Sequence, residues 1–389
     1  MTTIMGSDYG PRRTTLPQKT AFIYNDILSR HILRENHVMV PTRLRYTYEL
    51  LEAYGVFRHP AVQLVEPRKA TEEELSTFHS KEYIAAVQSL SAGEATYSKS
   101  AFGFSQDGDN PVFPGMYEAY LWSTGASLSG LELLLNHEVD IAFNPAGGLH
   151  HAMPNYASGF CVFNDPVIAI KQLLQLGFRA VYVDIDCHHG DGVQHAFYDT
   201  DRVLTISLHE AGTYIFPGTG FTNEIGVGDG IGYSVNLPFF PQTDDSLYIW
   251  AFDQIVPPLV RQFQPDILVT QLGLDTHFQD PITHMGLTVK GFSEVVQQLA
   301  NLGYPWLALG GGGYDISAVT RGWSLAFAKM LGITLPNTVP QLYQDTYGIT
   351  KLLDQEEPQL DSWFREQGTK YAQENVEFLQ HTIFPRHGL

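Results

Sequence analysis

The chain has 389 residues, of which 44% are hydrophobic and 17% are charged, a composition typical of a soluble globular enzyme. Its formal net charge of −19 argues against a nucleic-acid-binding protein, which needs a basic surface to meet phosphates. Cys161 and Cys187 are the only cysteines, so we expect no disulfide framework and a reducing compartment. We recognise neither a signal peptide nor a transmembrane run, and therefore expect a cytoplasmic protein that does not bind membranes.

Hydrophobic periodicity predicts alternating strands and helices along one domain, residues 21–389, preceded by a polar N-terminal arm, residues 1–20. The predicted strands are Ala21–Tyr24, Asp140–Phe143, Val181–Ile185, Val203–Leu208, Tyr233–Leu237, Ile267–Gln271 and Trp306–Leu309. The main predicted helices are Thr42–Tyr54, Met116–Asn136, Val162–Leu176, Asp244–Phe263 and Leu287–Leu302. This order predicts a single-domain α/β fold with an open, mostly parallel sheet flanked by helices. Its active site would lie at the carboxyl ends of the strands.

The predicted strand at Val181–Ile185 runs into the densest group of potential metal ligands in the chain. Within eight positions stand Asp184, Asp186, His188, His189 and Asp191. Carboxylates and imidazoles packed so closely favour a shared divalent cation over the alternative, a polar loop whose histidines cap a helix. Asp186 and His188 are two positions apart, so in an extended segment their side chains point to the same side.

Asp275 ends the motif LGLD after another predicted strand and would complete a three-ligand site with Asp186 and His188. Catalytic zinc keeps three protein ligands and one open position. A set with two carboxylates also suits ferrous iron, so the residues leave the choice between Zn²⁺ and Fe²⁺ open.

A pair of histidines, His150 and His151, follows Gly147-Gly148 at a third strand end. Two imidazoles beside a metal would serve as general base and general acid, and Asp184 and Asp191 are available to fix their tautomers. The pair taken alone fits a structural role equally well.

Tyr314 follows four glycines, Gly310–Gly313, which let the backbone approach a ligand closely. Its hydroxyl could donate to a substrate carbonyl opposite the metal. A phosphate-binding loop is the alternative, but the Lys-Ser/Thr of such loops does not follow. Phe160 and Phe216, in Gly- and Pro-rich loops, would either anchor those loops or wall an apolar channel. Arg43, near the start of its helix, either lies on a solvated face or is buried and holds a loop.

Five motifs together resemble the zinc-dependent histone deacetylase family, which has the arginase/deacetylase fold. They are GGLHHAMPNYASGFCVFND, VYVDIDCHHGDGVQHAFY, SLHEAGTYIFPGTG, QLGLDTHFQDP and LGGGGYDISAVTRGW, and they span about Arg43 to Trp323 in the family's order. The chain is most similar to the class I type and its bacterial relatives, such as the acetoin-utilisation deacetylases. The resemblance implies that residues 21–389 form a deacetylase catalytic domain.

The resemblance also implies a role for each matching residue. The implied metal ligands are Asp186, His188 and Asp275. The implied catalytic residues are His150 and His151, their carboxylate partners Asp184 and Asp191, and Tyr314, which polarises the acyl carbonyl. The implied substrate-binding residues are the tunnel and rim positions Asp109, Gly159, Phe160, Phe216 and Ile282, and Arg43 matches the arginine of an internal acetate channel. Structural potassium ions are implied at Asp184, Asp186, His188, Ser207 and Leu208, and at Phe197, Thr200, Val203 and Tyr233.

The implied activity is metal-assisted hydrolysis of Nε-acetyl-lysine in proteins, with acetate released and His151 rather than His150 as the base. Small acylated amines such as acetylpolyamines are alternative substrates, suggested by the acidic charge. Longer acyl-lysines are another, because Ile215 stands where an aromatic usually precedes Phe216. A silent binding scaffold or an arginase-like ureohydrolase fits less well, since every catalytic position of the deacetylases is present. Pro281 and Ser317 replace arginines that bind an inositol phosphate in corepressor-bound members, so we do not expect that partner.

Overall fold

A computed structural model describes residues 19–389, so the predicted N-terminal arm lies outside the described residues except for its last two positions. The strands are β1 (Thr20–Ile23), β2 (Val62–Val65), β3 (Ile141–Asn144), β4 (Ala180–Asp184), β5 (Val203–Glu210), β6 (Ser234–Phe239), β7 (Ile267–Gln271) and β8 (Trp306–Leu309). The first helices are α1 (Thr42–Ala53), α2 (Glu72–Leu75), α3 (Lys81–Ser91), α4 (Met116–Leu135), α5 (Asp165–Gln175) and α6 (Asp191–Phe197). The remaining helices are α7 (Asp245–Phe263), α8 (Val289–Ala300), α9 (Ile316–Leu331), α10 (Gln341–Tyr347) and α11 (Ser362–Thr382).

The strands form one parallel sheet in the order β2-β1-β3-β8-β7-β4-β5-β6, with helices packed against it. The predicted parallel α/β fold is therefore confirmed. Every residue of the four central strands β3, β8, β7 and β4 is buried, as expected for a parallel sheet covered by helices. No helix in the described part of the chain is long and apolar enough to cross a membrane.

The central strands end level with one another. The register pairs Asp184 of β4 with Gln271 of β7, Gln271 with Leu309 of β8, and Leu309 with Asn144 of β3. Four loops therefore leave the same edge of the sheet side by side, and each carries one of the polar motifs. Loops beyond the carboxyl ends of parallel strands are where open α/β sheets bind their ligands.

Three of the local differences between the predicted and the observed elements have a clear physical reason. The strand β2 was missed because it is a half-exposed edge strand, whose sequence VQLV has no buried face to mark it. The helix predicted from Val162 begins at Asp165, because the side chain of Asn164 accepts a hydrogen bond from the Val167 amide and ends the preceding loop. The strand β6 continues through Pro238, which an edge strand tolerates because one of its two sides is unpaired.

Candidate active site

Three predicted metal ligands converge at the carboxyl ends of β4 and β7. The Nδ1 atom of His188 lies 3.1 Å from Asp186 Oδ1 and 3.0 Å from Asp275 Oδ2. All three side chains are buried, and one ligand atom from each lies within 4.8 Å of the other two. Zinc bonds of about 2.0–2.1 Å in a tetrahedral site place ligand atoms about 3.3 Å apart, so this group fits a divalent ion such as zinc.

Surrounding donors orient the two carboxylates of this group. The outer oxygen of Asp186 accepts hydrogen bonds from Gln271 Nε2 at 2.5 Å and from the Gly312 amide at 2.8 Å. The outer oxygen of Asp275 accepts from the Cys187 amide at 2.7 Å. Each carboxylate thus turns its other oxygen towards His188. Hydrogen bonds of this kind, from residues around the ligands, are the support that metal-binding side chains require.

The electrostatics of the group favour a cation. Burial, together with the charge of Asp186, raises the pKa of Asp275 to about 7. Burial opposes a charge on His188, yet hydrogen bonds to Asp186 and Asp275 raise its pKa well above the ordinary value. Two buried carboxylates that compete for positive charge in this way are the setting in which proteins bind divalent metals.

The two predicted catalytic histidines stand side by side, with ring centroids 4.0 Å apart, and each is held by its own carboxylate. His150 Nδ1 donates to Asp184 Oδ2 at 2.7 Å, and His151 Nδ1 donates to Asp191 Oδ1 at 2.7 Å. A carboxylate only accepts, so both protons lie on Nδ1 and Nε2 is left to exchange a proton. The carboxylate partners predicted for this pair are therefore in contact with it.

The same surroundings give the two histidines opposite protonation. Burial disfavours a charge on His150, but attraction from Asp184 and Asp186 outweighs it and raises the pKa of His150 to about 9. Burial, followed by repulsion from His150, lowers the pKa of His151 to about 4. At neutral pH His151 is therefore the neutral ring that can accept a proton, and His150 is the charged one.

Aromatic side chains line the approach to these groups. The ring of Phe216 lies 4.9 Å from that of His151, and the ring of Phe160 lies 5.5 Å from that of Tyr314. Gly159 comes so close to His151 that a Cβ would collide with the imidazole. Phe160 itself has φ of 67°, a left-handed conformation rare for a non-glycine residue, and such backbone strain is concentrated at functional sites.

Each of the two predicted rim residues is connected to an aromatic residue of the channel through one other residue. Asp109 is exposed, and its backbone oxygen is 3.2 Å from Nε2 of His37, whose ring packs on Phe160 at 4.9 Å. Ile282 is half-buried, and its amide donates to Asp280, which also accepts from the Tyr314 amide. Asp109 is thus linked to Phe160 through His37, and Ile282 is linked to the backbone of Tyr314 through Asp280.

Arg43 is buried behind the glycine turn. Its two terminal nitrogens donate to the carbonyl oxygens of Gly311 and Gly313, each at 2.6 Å, so the expectation of a buried arginine that holds a loop is correct. Arg43 also lines a cavity with His31, Tyr120 and Phe160, and this cavity shares His31 with a second, larger one. Among the described residues, Nε of Arg43 and Nδ1 of His31 are buried without a hydrogen-bond partner.

Comparisons with known proteins agree with this geometry. Residues 37–330 match the family model described as histone deacetylase domain, which covers most of the chain. The chain belongs to the histone deacetylase family. The resemblance inferred from the motifs is thereby confirmed, and the chain is a hydrolase of a metal-dependent family.

The chain is similar to both eukaryotic and bacterial members of the histone deacetylase family. It is 40% identical to human histone deacetylase 1 over 88% of this chain and 69% of that one. It is 37% identical to the acetoin utilization protein AcuC of Bacillus subtilis (strain 168), over 82% of this chain and 84% of the relative. The crystal structure of an HDAC homolog from Aquifex aeolicus matches with a TM-score of 0.82 at 29% identity, covering 91% of this chain and all of that one. An HDAC homolog complexed with SAHA matches with a TM-score of 0.83 at 28% identity, covering 93% and 100%.

The positions predicted to bind potassium fall into two groups in this deacetylase-family chain. Ser207 and Leu208 lie on β5, where the register pairs Ser207 with Asp184. The second group flanks the α6–β5 connection and the start of β6, and consists of Phe197, Thr200, Val203 and Tyr233. The binding of potassium at either group stays a prediction.

Several polar residues that support the site were not predicted from the sequence. Asp165, the first residue of α5, accepts from the amides of Gly148 and Leu149 and so holds the loop that carries the two histidines. Gln271 holds Asp186, and Asp280 holds the Tyr314 amide. Each is a single polar residue at an element boundary or in a loop. The motif FND around Asp165, an N-cap followed by an acid in the first turn, was the one local signal available.

Proposed function

We propose that this protein is a zinc-dependent deacetylase that hydrolyses the amide of Nε-acetyl-lysine in proteins and releases acetate. The single observation that carries the proposal is the site itself: two carboxylate–histidine pairs stand next to the group Asp186, His188 and Asp275, and the ring of Tyr314 packs against Phe160 at 5.5 Å.

The side chains divide the chemistry of amide hydrolysis among them. His151 accepts a proton from the attacking water while the water oxygen bonds to the acetyl carbon, and the Tyr314 hydroxyl donates to the carbonyl oxygen. Charged His150 stabilises the negative charge that develops. When the carbon–nitrogen bond breaks, the proton held by His151 passes to the lysine amine, so acetate and lysine are the products. Asp184 and Asp191 keep both rings in the required orientation.

Asp186, His188 and Asp275 would hold the metal. When bound, a divalent ion supplies Lewis-acid polarisation of the acetyl carbonyl and of the water. Zinc is the proposed ion and ferrous iron the alternative, since two carboxylates and one imidazole suit both. We further propose structural potassium at the two groups of residues on and around β5.

Substrate binding would use the channel and its rim. Gly159, Phe160 and Phe216 would enclose the aliphatic part of the lysine side chain, and Asp109 and Ile282 would contact the substrate at the entrance. The cavity beside Arg43 would take the acetate, because the unpartnered Nε of Arg43 is a buried donor suited to a carboxylate.

The remaining proposals concern partners and location. The net charge of −19 suits a cationic substrate such as an acetylated protein or a small acylated amine, and does not suit nucleic acid. Pro281 and Ser317 lack the charge to bind an inositol phosphate, so we propose that such a corepressor is not a partner. Two buried, unpaired thiols, Cys161 and Cys187, support a cytoplasmic location.

The first experiment compares kcat/KM for an acetyl-lysine peptide with that for acetylpolyamines, after loading with zinc or ferrous iron and after treatment with a chelator. We expect chelator-sensitive turnover that favours the peptide. A preference of about a hundredfold for the small amine, about 2.7 kcal/mol of transition-state discrimination, would move the assignment to a small-molecule amidohydrolase. Turnover that persists fully in chelator would contradict the metal site.

The second arm of this experiment tests Tyr314. Tyr314→Phe removes only the hydroxyl and is expected to lower kcat about a thousandfold, with KM and metal content nearly unchanged. Tyr304→Phe is the matched control, because Tyr304 precedes β8 at the end opposite the site and its loss should leave kcat unchanged. Near-wild-type kcat for Tyr314→Phe would remove Tyr314 from the mechanism.

A further inference from the structure

The peptide unit that joins Gly313 to Tyr314 is held at both ends by buried charged groups. Its carbonyl oxygen accepts from Arg43 Nη1 at 2.6 Å, and its N–H donates to Asp280 Oδ2 at 2.8 Å. Gly313 has φ of +119°, so this peptide plane stands in an orientation that ordinary residues rarely adopt. The backbone of Tyr314 is therefore fixed by two charge-assisted hydrogen bonds.

Asp280 also reaches the rim of the channel. Its side chain is buried, and its second oxygen, Oδ1, accepts from the Ile282 amide at 3.0 Å. Its own amide donates to the carbonyl oxygen of His277 at 2.9 Å, in the loop that starts at the metal ligand Asp275. One carboxylate thus ties together the loop after β7, the rim residue Ile282 and the backbone of Tyr314.

We infer that Asp280 is a positioning residue for catalysis, whose carboxylate sets the place of the Tyr314 hydroxyl over the acetyl carbonyl. The inference rests on the role proposed for Tyr314. A carboxylate accepts two N–H groups at once, whereas an asparagine offers one oxygen and must turn its NH₂ group towards the other N–H. Two opposed donors repel each other, and a shift of about 1 Å in a reacting group can cost about a hundredfold in rate.

The test is a double-mutant cycle on kcat for the acetyl-lysine peptide, with the zinc-loaded full chain. Asp280→Asn is expected to lower kcat about 10- to 100-fold in the wild-type background. In the Tyr314→Phe background, measured at high enzyme concentration, the same substitution is expected to change kcat less than about twofold, because no hydroxyl remains to be misplaced. Equal factors in both backgrounds would overturn the inference and identify a general structural role.

Controls separate positioning from folding. Asp245→Asn is the matched control, because Asp245 also accepts two hydrogen bonds, from the amide and the hydroxyl of Thr288 at 2.8 and 2.6 Å, but none from a site residue in the described part of the chain. Its replacement should not change kcat. Asp280→Ala, which removes the acceptor without adding a donor, is the second variant if Asp280→Asn does not fold. Failure of both to fold would overturn a role confined to Tyr314.

The same data distinguish the two hypotheses. If Tyr314→Phe alone leaves kcat near wild type, the proposed role of Tyr314 fails and the inference fails with it. Suppose instead that Tyr314→Phe greatly lowers kcat, but Asp280→Asn has no effect or lowers kcat by the same factor in both backgrounds. The proposed function then stands, and only the inference about Asp280 is wrong.

Discussion

Asp354 joins the C-terminal part of the chain to the loop behind the proposed metal ligands, and replacing it with asparagine should destabilise the fold. Its carboxylate accepts from Arg321 Nη1 at 2.7 Å and from His277 Nε2 at 3.1 Å. The other oxygen accepts from the Val289 amide, the first of α8, at 2.8 Å. The side chain is only 7% exposed, so solvent screens these contacts little.

The pKa of Asp354 sets the size of the effect. Burial opposes the charge, but His277 and Arg321 outweigh it and lower the pKa from 3.8 to about 2. At 1.36 kcal/mol per unit, this corresponds to about 2 kcal/mol of folding free energy. A carboxyl group whose pKa is lowered by folding stabilises the protein when the pH is above the pKa of that group in the unfolded chain. This contribution is lost as the pH falls through the pKa in the folded protein. The contribution should therefore be complete above about pH 5 and roughly halved at pH 3.

The assay is urea unfolding of the wild type and Asp354→Asn at pH 7 and pH 3. At pH 7 the variant should lose about 2 kcal/mol of unfolding free energy, and the difference should narrow at pH 3. Glu374→Gln is the control, since its pair with Lys370, at 3.9 Å, is exposed and should contribute little. A loss below about 0.5 kcal/mol at pH 7, or a difference independent of pH, would refute the reasoning.

Two further predictions concern the catalytic groups. Asp191→Asn replaces the carboxylate that fixes the His151 tautomer with a neutral amide, whose NH₂ group can turn towards the ring, and should lower kcat about a hundredfold with little change in KM. Steady-state kinetics that match the wild type would contradict this role. Gly159→Ala places a methyl group against the His151 ring and should lower kcat/KM at least about tenfold. The control is Gly177→Ala, because Gly177 also has a positive φ but has open space around it. This control should alter stability without altering kcat/KM.

The sequence predicts the centre of this fold better than its edges. The central strands are continuous apolar runs between turn residues, so pattern and burial agree there. The edge strand Val62–Val65 carries Gln63 in the middle and is half-exposed, and its pairing with β1 depends on residues about forty positions away. Local periodicity contains no information about such a partner. The predicted start of α5 is too early because Val162 and Phe163 are apolar and so extend the helical pattern, although both belong to the preceding loop.

The residues that converge at the candidate site could be predicted from the sequence, and the residues that support them could not. Asp186, His188, His150 and His151 are dense in the sequence, and their chemistry is recognisable without a structure. Asp280 has no such signal. The positioning role inferred for Asp280 depends on its hydrogen bond with the Tyr314 amide, 34 positions away. The two residues meet because β7 and β8 end level with each other in the sheet, which the local sequence does not indicate.

The supports also explain why this site suits a cation. Burial raises the pKa of Asp165 and Asp280 to about 6 and that of Asp275 to about 7, because the negative charge of each carboxylate is less stable away from water. Arg43 is the buried cation behind the glycine turn, but its terminal nitrogens are occupied by the carbonyl oxygens of Gly311 and Gly313. The hydrogen bonds that orient the carboxylates therefore do not neutralise them. A divalent ion held by Asp186, His188 and Asp275 would supply two positive charges where the fold concentrates negative ones. The proposed metal site and the proposed position of Tyr314 therefore depend on the same four loops.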